Sequence, residues 1–217
     1  MAPGEGRRPA GWREKLALYL ICDLGLAGGR DPVLLVEPAL AAGVRAVQLR
    51  AKATPDRVAY QLALALRRLT ARYDALLIIN DRVDLALAAG ADGVHLGQDD
   101  LPAEAARRLW PAGLLGISVR TPEDARAAEG AGADYLGAGA LRSTSTKPDS
   151  RVIGWEGLRA VVEATRLPVV AIGGIRPEDV PAVRQAGAAG VAVASAILQA
   201  EDVRGAAEAF LTALAMT

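Results

Sequence analysis

The sequence predicts a single (β/α)8 barrel, the TIM-barrel architecture, on three observations. Eight short runs rich in Val, Ile and Leu alternate with longer amphipathic stretches rich in Ala and Arg, so the hydrophobic period switches repeatedly from strand to helix. The strand-like runs are almost continuously apolar, as expected of parallel strands buried on both faces. The rarer polar residues gather just after those runs, at the end of a barrel where this architecture places its chemistry. An open doubly wound sheet is the competing arrangement, but no G-x-G-x-x-G follows the first strand, where a dinucleotide-binding fold would carry it.

In chain order, the first strand covers residues 16–22 (Leu-Ala-Leu-Tyr-Leu-Ile-Cys) and leads to a helix over 32–41. Strand 44–49 precedes helix 55–73, strand 76–79 precedes helix 82–89, and strand 93–96 precedes helix 102–109. Strand 114–118 is followed by helix 122–130 and strand 135–137 by helix 155–165. Strand 169–172 leads to helix 177–186, and strand 190–194 to a final helix over 201–214. Glycine and proline punctuate many of the joins. Three stretches echo one another: Ala88-Ala89-Gly90-Ala91-Asp92-Gly93-Val94, Gly130-Ala131-Gly132-Ala133-Asp134-Tyr135-Leu136 and Gln185-Ala186-Gly187-Ala188-Ala189-Gly190-Val191. Each reads as a helix ending in a capping glycine, followed at once by a buried strand.

At 217 residues the chain is long enough for one well-cored domain, placed here over residues 14–217. Residues 1–13 form an N-terminal segment that is free to be disordered. With 25 basic and 25 acidic side chains and a pI of about 6.6, there is no electrostatic reason to expect nucleic acid or an anionic membrane as main partner. The longest uncharged run, residues 185–200, is too short and glycine-rich to span a bilayer. One cysteine, Cys22, and no signal-like apolar stretch at the start suit a reducing cytoplasm. The expected partners are therefore small molecules, with assembly into a homo-oligomer left open.

Rare residues direct attention within the barrel. Arginine supplies 22 of the 25 basic residues, so the three lysines, Lys15, Lys52 and Lys147, stand out, as do the single Asn80 and the single His95. After the second strand, Gln48, Arg50 and Lys52 share one face while Val47 and Leu49 face the other. The apolar face must meet the helices, which turns two cations and an amide into the barrel mouth, where they suit an anion. A fraying, solvated strand end is the plainer alternative. The third strand ends in Asn80-Asp81, and Asp81 is either the N-cap of the next helix or an oxygen ligand for a hard cation. In the loop after the fourth strand, Asp99 or Asp100 could share that cation or could only begin a helix. Magnesium needs only one or two protein carboxylates when substrate phosphates complete its shell. His95 lacks the further ligands of a zinc site and reads as a hydrogen-bonded core residue. After the sixth strand, Ser143-Thr144-Ser145-Thr146-Lys147 combines hydroxyls and an ammonium that suit phosphate oxygens, or is an ordinary polar loop. Gly173-Gly174 after the seventh strand and Ser195 after the eighth occupy places where phosphate sites recur in this fold. Together these residues suggest two anion sites around one mouth, one fit for a pyrophosphate and one for a monophosphate.

The residues resemble the thiamine phosphate synthase family from Leu18-Tyr19-Leu20-Ile21 to Ser195-Ala196-Ile197. The most specific pieces are Gln48-Leu49-Arg50-Ala51-Lys52, Ile79-Asn80-Asp81-Arg82-Val83-Asp84, His95-Leu96-Gly97-Gln98-Asp99-Asp100 and Thr144-Ser145-Thr146-Lys147. The resemblance implies that Gln48, Arg50, Lys52, Asn80, Ser118 and Lys147 hold hydroxymethylpyrimidine pyrophosphate, with Arg50, Lys52, Lys147 and Ser118 closest to the chemistry. It implies magnesium as cofactor on Asp81 and Asp100, and a thiazole phosphate site made by Thr144, Ser145, Thr146, Gly174, Ala194 and Ser195. The implied reaction is a dissociative substitution: pyrophosphate leaves, a pyrimidine methylene cation forms and the thiazole nitrogen attacks it. Such a reaction needs fixed charge at the leaving group and no protein nucleophile, which agrees with the lack of a Ser-His-Asp or Cys-His set. The chain departs from the family pattern at Ala140-Leu141-Arg142-Ser143, where a proline and an aromatic are usual, and at Ala194, where a larger aliphatic is usual. A related thiazole tautomerase and a non-catalytic sensor of thiamine phosphates are the rival readings. Neither needs the second set of anion-binding residues.

Overall fold

The computed structural model describes residues 8–142 and 152–216. The strands are β1 (Leu18–Asp23), β2 (Ala46–Arg50), β3 (Leu76–Asn80), β4 (Gly93–Leu96), β5 (Leu114–Val119), β6 (Tyr135–Ala138), β7 (Val169–Ile172) and β8 (Gly190–Val193). All pair in parallel with their sequence neighbours, and β8 closes on β1 through Leu18↔Val191 and Leu20↔Val193. The connecting helices are α2 (Pro32–Ala42), α3 (Asp56–Arg72), α4 (Val83–Ala89), α5 (Ala103–Leu109), α6 (Pro122–Gly130), α7 (Gly154–Glu163), α8 (Val180–Gln185) and α10 (Val203–Ala215). The fold is the expected (β/α)8 barrel.

Two short helices escape sequence periodicity because four residues are barely one turn. They are α1 (Trp12–Lys15), which runs into β1, and α9 (Ser195–Leu198), which follows β8. Trp12 packs against the barrel interior, and Arg8 pairs with Asp134 at 2.6 Å. The stretch expected to be helical from Pro177 begins instead as a 3-10 turn, Pro177–Asp179, before α8.

Strand alternation divides the core into two layers. Outward residues such as Leu20, Val47, Ile79, Val94, Leu136 and Val191 pack under the helices, whereas Tyr19, Ile21, Ala46, Leu76, Ile78, Leu114, Tyr135 and Val170 fill the barrel. Cys22 belongs to the outer layer, and burial with the Asp23 charge beside it pushes its thiol up to about 12. The interior carries two tyrosine rings, Tyr19 and Tyr135, packed edge to face with centroids 6.1 Å apart. Gly116 makes room for them: a Cβ there would overlap the Tyr135 ring and His95.

The three sequence echoes lie at the N-terminal rim. Asp92 and Asp134 accept the backbone N–H of Leu77 and Leu115 at 2.8 and 2.9 Å, and pair with Arg67 and Arg107 from the helices ahead. Ala189 takes the same place before β8, where Arg184 bonds the carbonyls of Ala188 and Ala189 instead. Gly90 is the left-handed C-cap that was expected, whereas α6 and α8 end on Ala131 and Ala186, each one residue before a left-handed glycine.

Candidate active site

At the opposite rim, Gln48 and Arg50 point inward from β2 as alternation requires. The buried Gln48 amide donates to the Tyr19 hydroxyl at 2.8 Å. That hydroxyl lies 3.1 Å from the Tyr135 hydroxyl, which lies 3.2 Å from His95 Nδ1, while His95 Nε2 lies 3.0 Å from Ser118 Oγ. A continuous hydrogen-bond chain therefore crosses the barrel from β2 through β1, β6 and β4 to β5. Burial pushes both tyrosine hydroxyls well above their ordinary range, so they stay protonated and serve as fixed dipoles. His95 is the hydrogen-bonded residue that its isolation in the sequence suggested, and it also lines the cavity above.

That cavity collects Gln48, Arg50, Asn80, His95, Ser118, Gly174, Ala194 and Ser195, with Arg120 and Gly173 at its edge. Arg50 forms an ion pair with the buried Asp23, whose other oxygen accepts the Gly25 N–H at 2.8 Å. Lys52 Nζ lies 3.0 Å from Asp81 Oδ2. Arg50 and Lys52 are thus each matched by a carboxylate.

The two readings left open for Asp81 separate here. Arg82, not Asp81, is the N-cap of α4, and no side chain caps that helix. Asp81 instead adopts a left-handed backbone, φ +64°, uncommon for a residue with a side chain, and its N–H donates to the His95 carbonyl at 2.9 Å. Its carboxylate neighbours that of Asp100. Asp99 is exposed, while Asp100 turns inward and accepts the Gly97 N–H at 2.7 Å. Burial, then the neighbouring Asp81 carboxylate, raises the Asp100 carboxyl above its usual range.

Gly173 and Gly174 hold left-handed φ values of +104° and +66°, and a Cβ on Gly173 would overlap Ala140. Ser195 opens α9 on the same side. Ser143, Thr144, Ser145, Thr146 and Lys147 lie outside the described residues. Sequence reasoning missed Tyr19, Asp23 and Tyr135. The alternation that turned Gln48 and Arg50 inward on β2 also turns Tyr19 and Asp23 inward on β1, where Asp23 sits in register with Arg50.

The pattern of the thiamine monophosphate synthase family matches residues 18–197, from the first strand to the short helix after the last. The chain belongs to the thiamine monophosphate synthase family. It is an enzyme of the transferase class. The thiamine-phosphate synthase of Pyrococcus furiosus is 50% identical over 196 residues, which cover 90% of this chain and 93% of that one. The corresponding protein of Pyrococcus abyssi is 50% identical over 198 residues, 91% of this chain and 94% of that one. The solved thiamine phosphate pyrophosphorylase of Pyrococcus furiosus superposes with a TM-score of 0.88 at 46% identity, covering 94% of this chain and 98% of that one. This thiamine monophosphate synthase family member has, among its described residues, no helix long and apolar enough to cross a membrane.

Proposed function

We propose that this chain joins hydroxymethylpyrimidine pyrophosphate to thiazole phosphate, giving thiamine phosphate and pyrophosphate by a magnesium-assisted dissociative substitution. The observation that carries the reading is the pair of neighbouring carboxylates, Asp81 and Asp100, with Asp81 paired to Lys52, in a chain about half identical to thiamine-phosphate synthases. Two facing carboxylates, one with a raised pKa, suit a divalent cation that lets both ionise. Among the described residues no group of three or more His, Cys, Asp or Glu side chains gathers as a cation cage, and magnesium shared with substrate phosphates needs none. When bound, magnesium would supply positive charge to the departing pyrophosphate.

The chain's own residues would do the rest. Arg50, held by Asp23, and Lys52, Asn80 and Lys147 would grip the pyrophosphate as the methylene C–O bond breaks and its electron pair leaves with the phosphate oxygen. Gln48 and Ser118, fixed by the chain through Tyr19, Tyr135 and His95, would orient the pyrimidine ring. Thr144, Ser145, Thr146, Gly174, Ala194 and Ser195 would hold thiazole phosphate so that the ring nitrogen donates its electron pair to the methylene carbon. No proton moves in that bond exchange, so no general base is required.

The test mixes both substrates with magnesium and follows thiamine phosphate and pyrophosphate together. Equal amounts are expected, and omitting any component should stop both. Thiazole isomerisation without pyrophosphate release, or binding without turnover, would overturn the reading in favour of the tautomerase or the sensor.

A further inference from the structure

Beyond the end of β6 the backbone continues alongside the end of β7. Leu141 N–H donates to the Ile172 carbonyl at 2.9 Å and Arg142 N–H to the Gly173 carbonyl at 3.1 Å. The Arg142 side chain then reaches to the 3-10 turn that precedes α8. Its Nη1 and Nη2 donate to Asp179 Oδ2 and Oδ1, both at 2.6 Å, a two-pronged geometry that fixes direction as well as distance. Asp179 is only 7% exposed, and its Oδ2 also accepts the Arg176 N–H at 2.9 Å. The guanidinium lies 5.9 Å from the Trp155 ring centroid. Between the two anchors lie Gly173 and Gly174, whose left-handed backbone lines the mouth. A carboxylate so buried needs its partner, and here the partner spans the corner that holds those glycines.

We propose that Arg142 is a positioning residue for the monophosphate substrate: its two-pronged bond to Asp179 locks the Gly173–Gly174 corner in the shape that receives the phosphate. The inference rests on the reading of the Gly174 and Ser195 side as the thiazole phosphate site. Arg142 is not among the described residues that line the mouth and its guanidinium is turned to Asp179, so its role is to hold the backbone and not to bind the anion. The effect should therefore be confined to one substrate.

Steady-state kinetics with both substrates varied in turn provides the test. Arg142→Ala should raise KM for thiazole phosphate by about tenfold, leaving KM for the pyrimidine pyrophosphate and kcat within about twofold. Arg142→Lys, which keeps the charge and loses the fork, should fall between parent and Arg142→Ala. Arg142→Ala leaves Asp179 unpaired and could unfold the protein, so Arg142→Ala/Asp179→Asn is measured too. It should show the same selective KM rise, no larger than that of either single change, because the two residues act as one unit. Equal changes in both KM values, or a lowered melting temperature with unchanged KM values, would overturn the proposal. Ser195→Asp places a negative charge in the phosphate side and serves as the control. If it leaves the thiazole phosphate KM unchanged, the site reading fails; if it raises that KM while Arg142→Ala does not, the positioning role alone fails.

Discussion

Asp81 combines three features that seldom coincide in one residue: a left-handed backbone, an ion pair with Lys52 and a second carboxylate as neighbour. A backbone conformation of that kind costs of order 1–3 kcal/mol and persists where the surroundings impose it, often at a functional site. Because α4 takes no cap from Asp81, an amide there should leave the helix intact and remove only charge. Asp81→Asn and Asp100→Asn are each expected to raise the magnesium concentration needed for half-maximal rate, with melting temperatures close to the parent. Wild-type kinetics at limiting magnesium in both variants would refute the metal assignment. In the sequence, Asp81 and Asp100 were legible as carboxylates following neighbouring strands, but the choice between cap, cation ligand and loop residue was not. Backbone φ excludes the cap at Asp81, and the inward turn of Asp100 past Asp99 separates those two carboxylates; both depend on packing between β3 and β4 rather than on either local sequence.

The strands were legible as elements to within a residue or two, since continuous apolar runs leave few alternatives in a closed parallel barrel. The echo before β4 and β6 was legible as a repeat, though its physical content was not. In each copy an aspartate at the base of an even-numbered strand accepts a backbone N–H from the preceding strand and an arginine from the helix before. The two copies differ in burial, and their cost of removal should differ with it. Asp134 is 8% exposed, and its partner Arg107 also serves the carbonyls of Trp110, Pro111, Gly113 and Gly132. Asp134→Ala should cost about 3–5 kcal/mol, the range for breaking a buried pair. At Asp92, burial raises the carboxyl pKa. Its contribution is therefore fully present below the unfolded carboxyl pKa and is lost as pH rises through the higher folded value. Asp92→Asn should consequently cost most in acid and progressively less toward neutrality. Urea unfolding of both variants across that pH range measures each effect, and a cost of Asp92→Asn that grows with pH would contradict the assigned burial.

At the scale of the whole molecule the decisive quantity is how charge is distributed around the mouth. The chain has no formal net charge, so its overall charge does not draw an anion in, and recognition rests on how charge is arranged at the mouth. Among the described residues, Arg50 and Lys52 are already paired with Asp23 and Asp81, and Asp100 adds a further carboxylate beside Asp81. A pyrophosphate entering alone would meet carboxylates almost as closely as cations. Entering with a divalent cation, it would find the Asp81 and Asp100 oxygens turned from a repulsive pair into ligands. Magnesium and pyrophosphate should therefore stabilise the fold cooperatively. At a concentration one hundred times its dissociation constant a ligand adds about 2.7 kcal/mol. In a domain of this size each kcal/mol moves the midpoint by roughly 2–4 °C, so the expected rise is about 5–10 °C with both present and much less with either alone. Thermal unfolding with pyrophosphate titrated at fixed magnesium, and again in the presence of a chelator, measures the difference. Equal stabilisation in the two series would mean that the carboxylate pair does not hold a cation for the anion, and that Arg50, Lys52 and Lys147 bind it unaided.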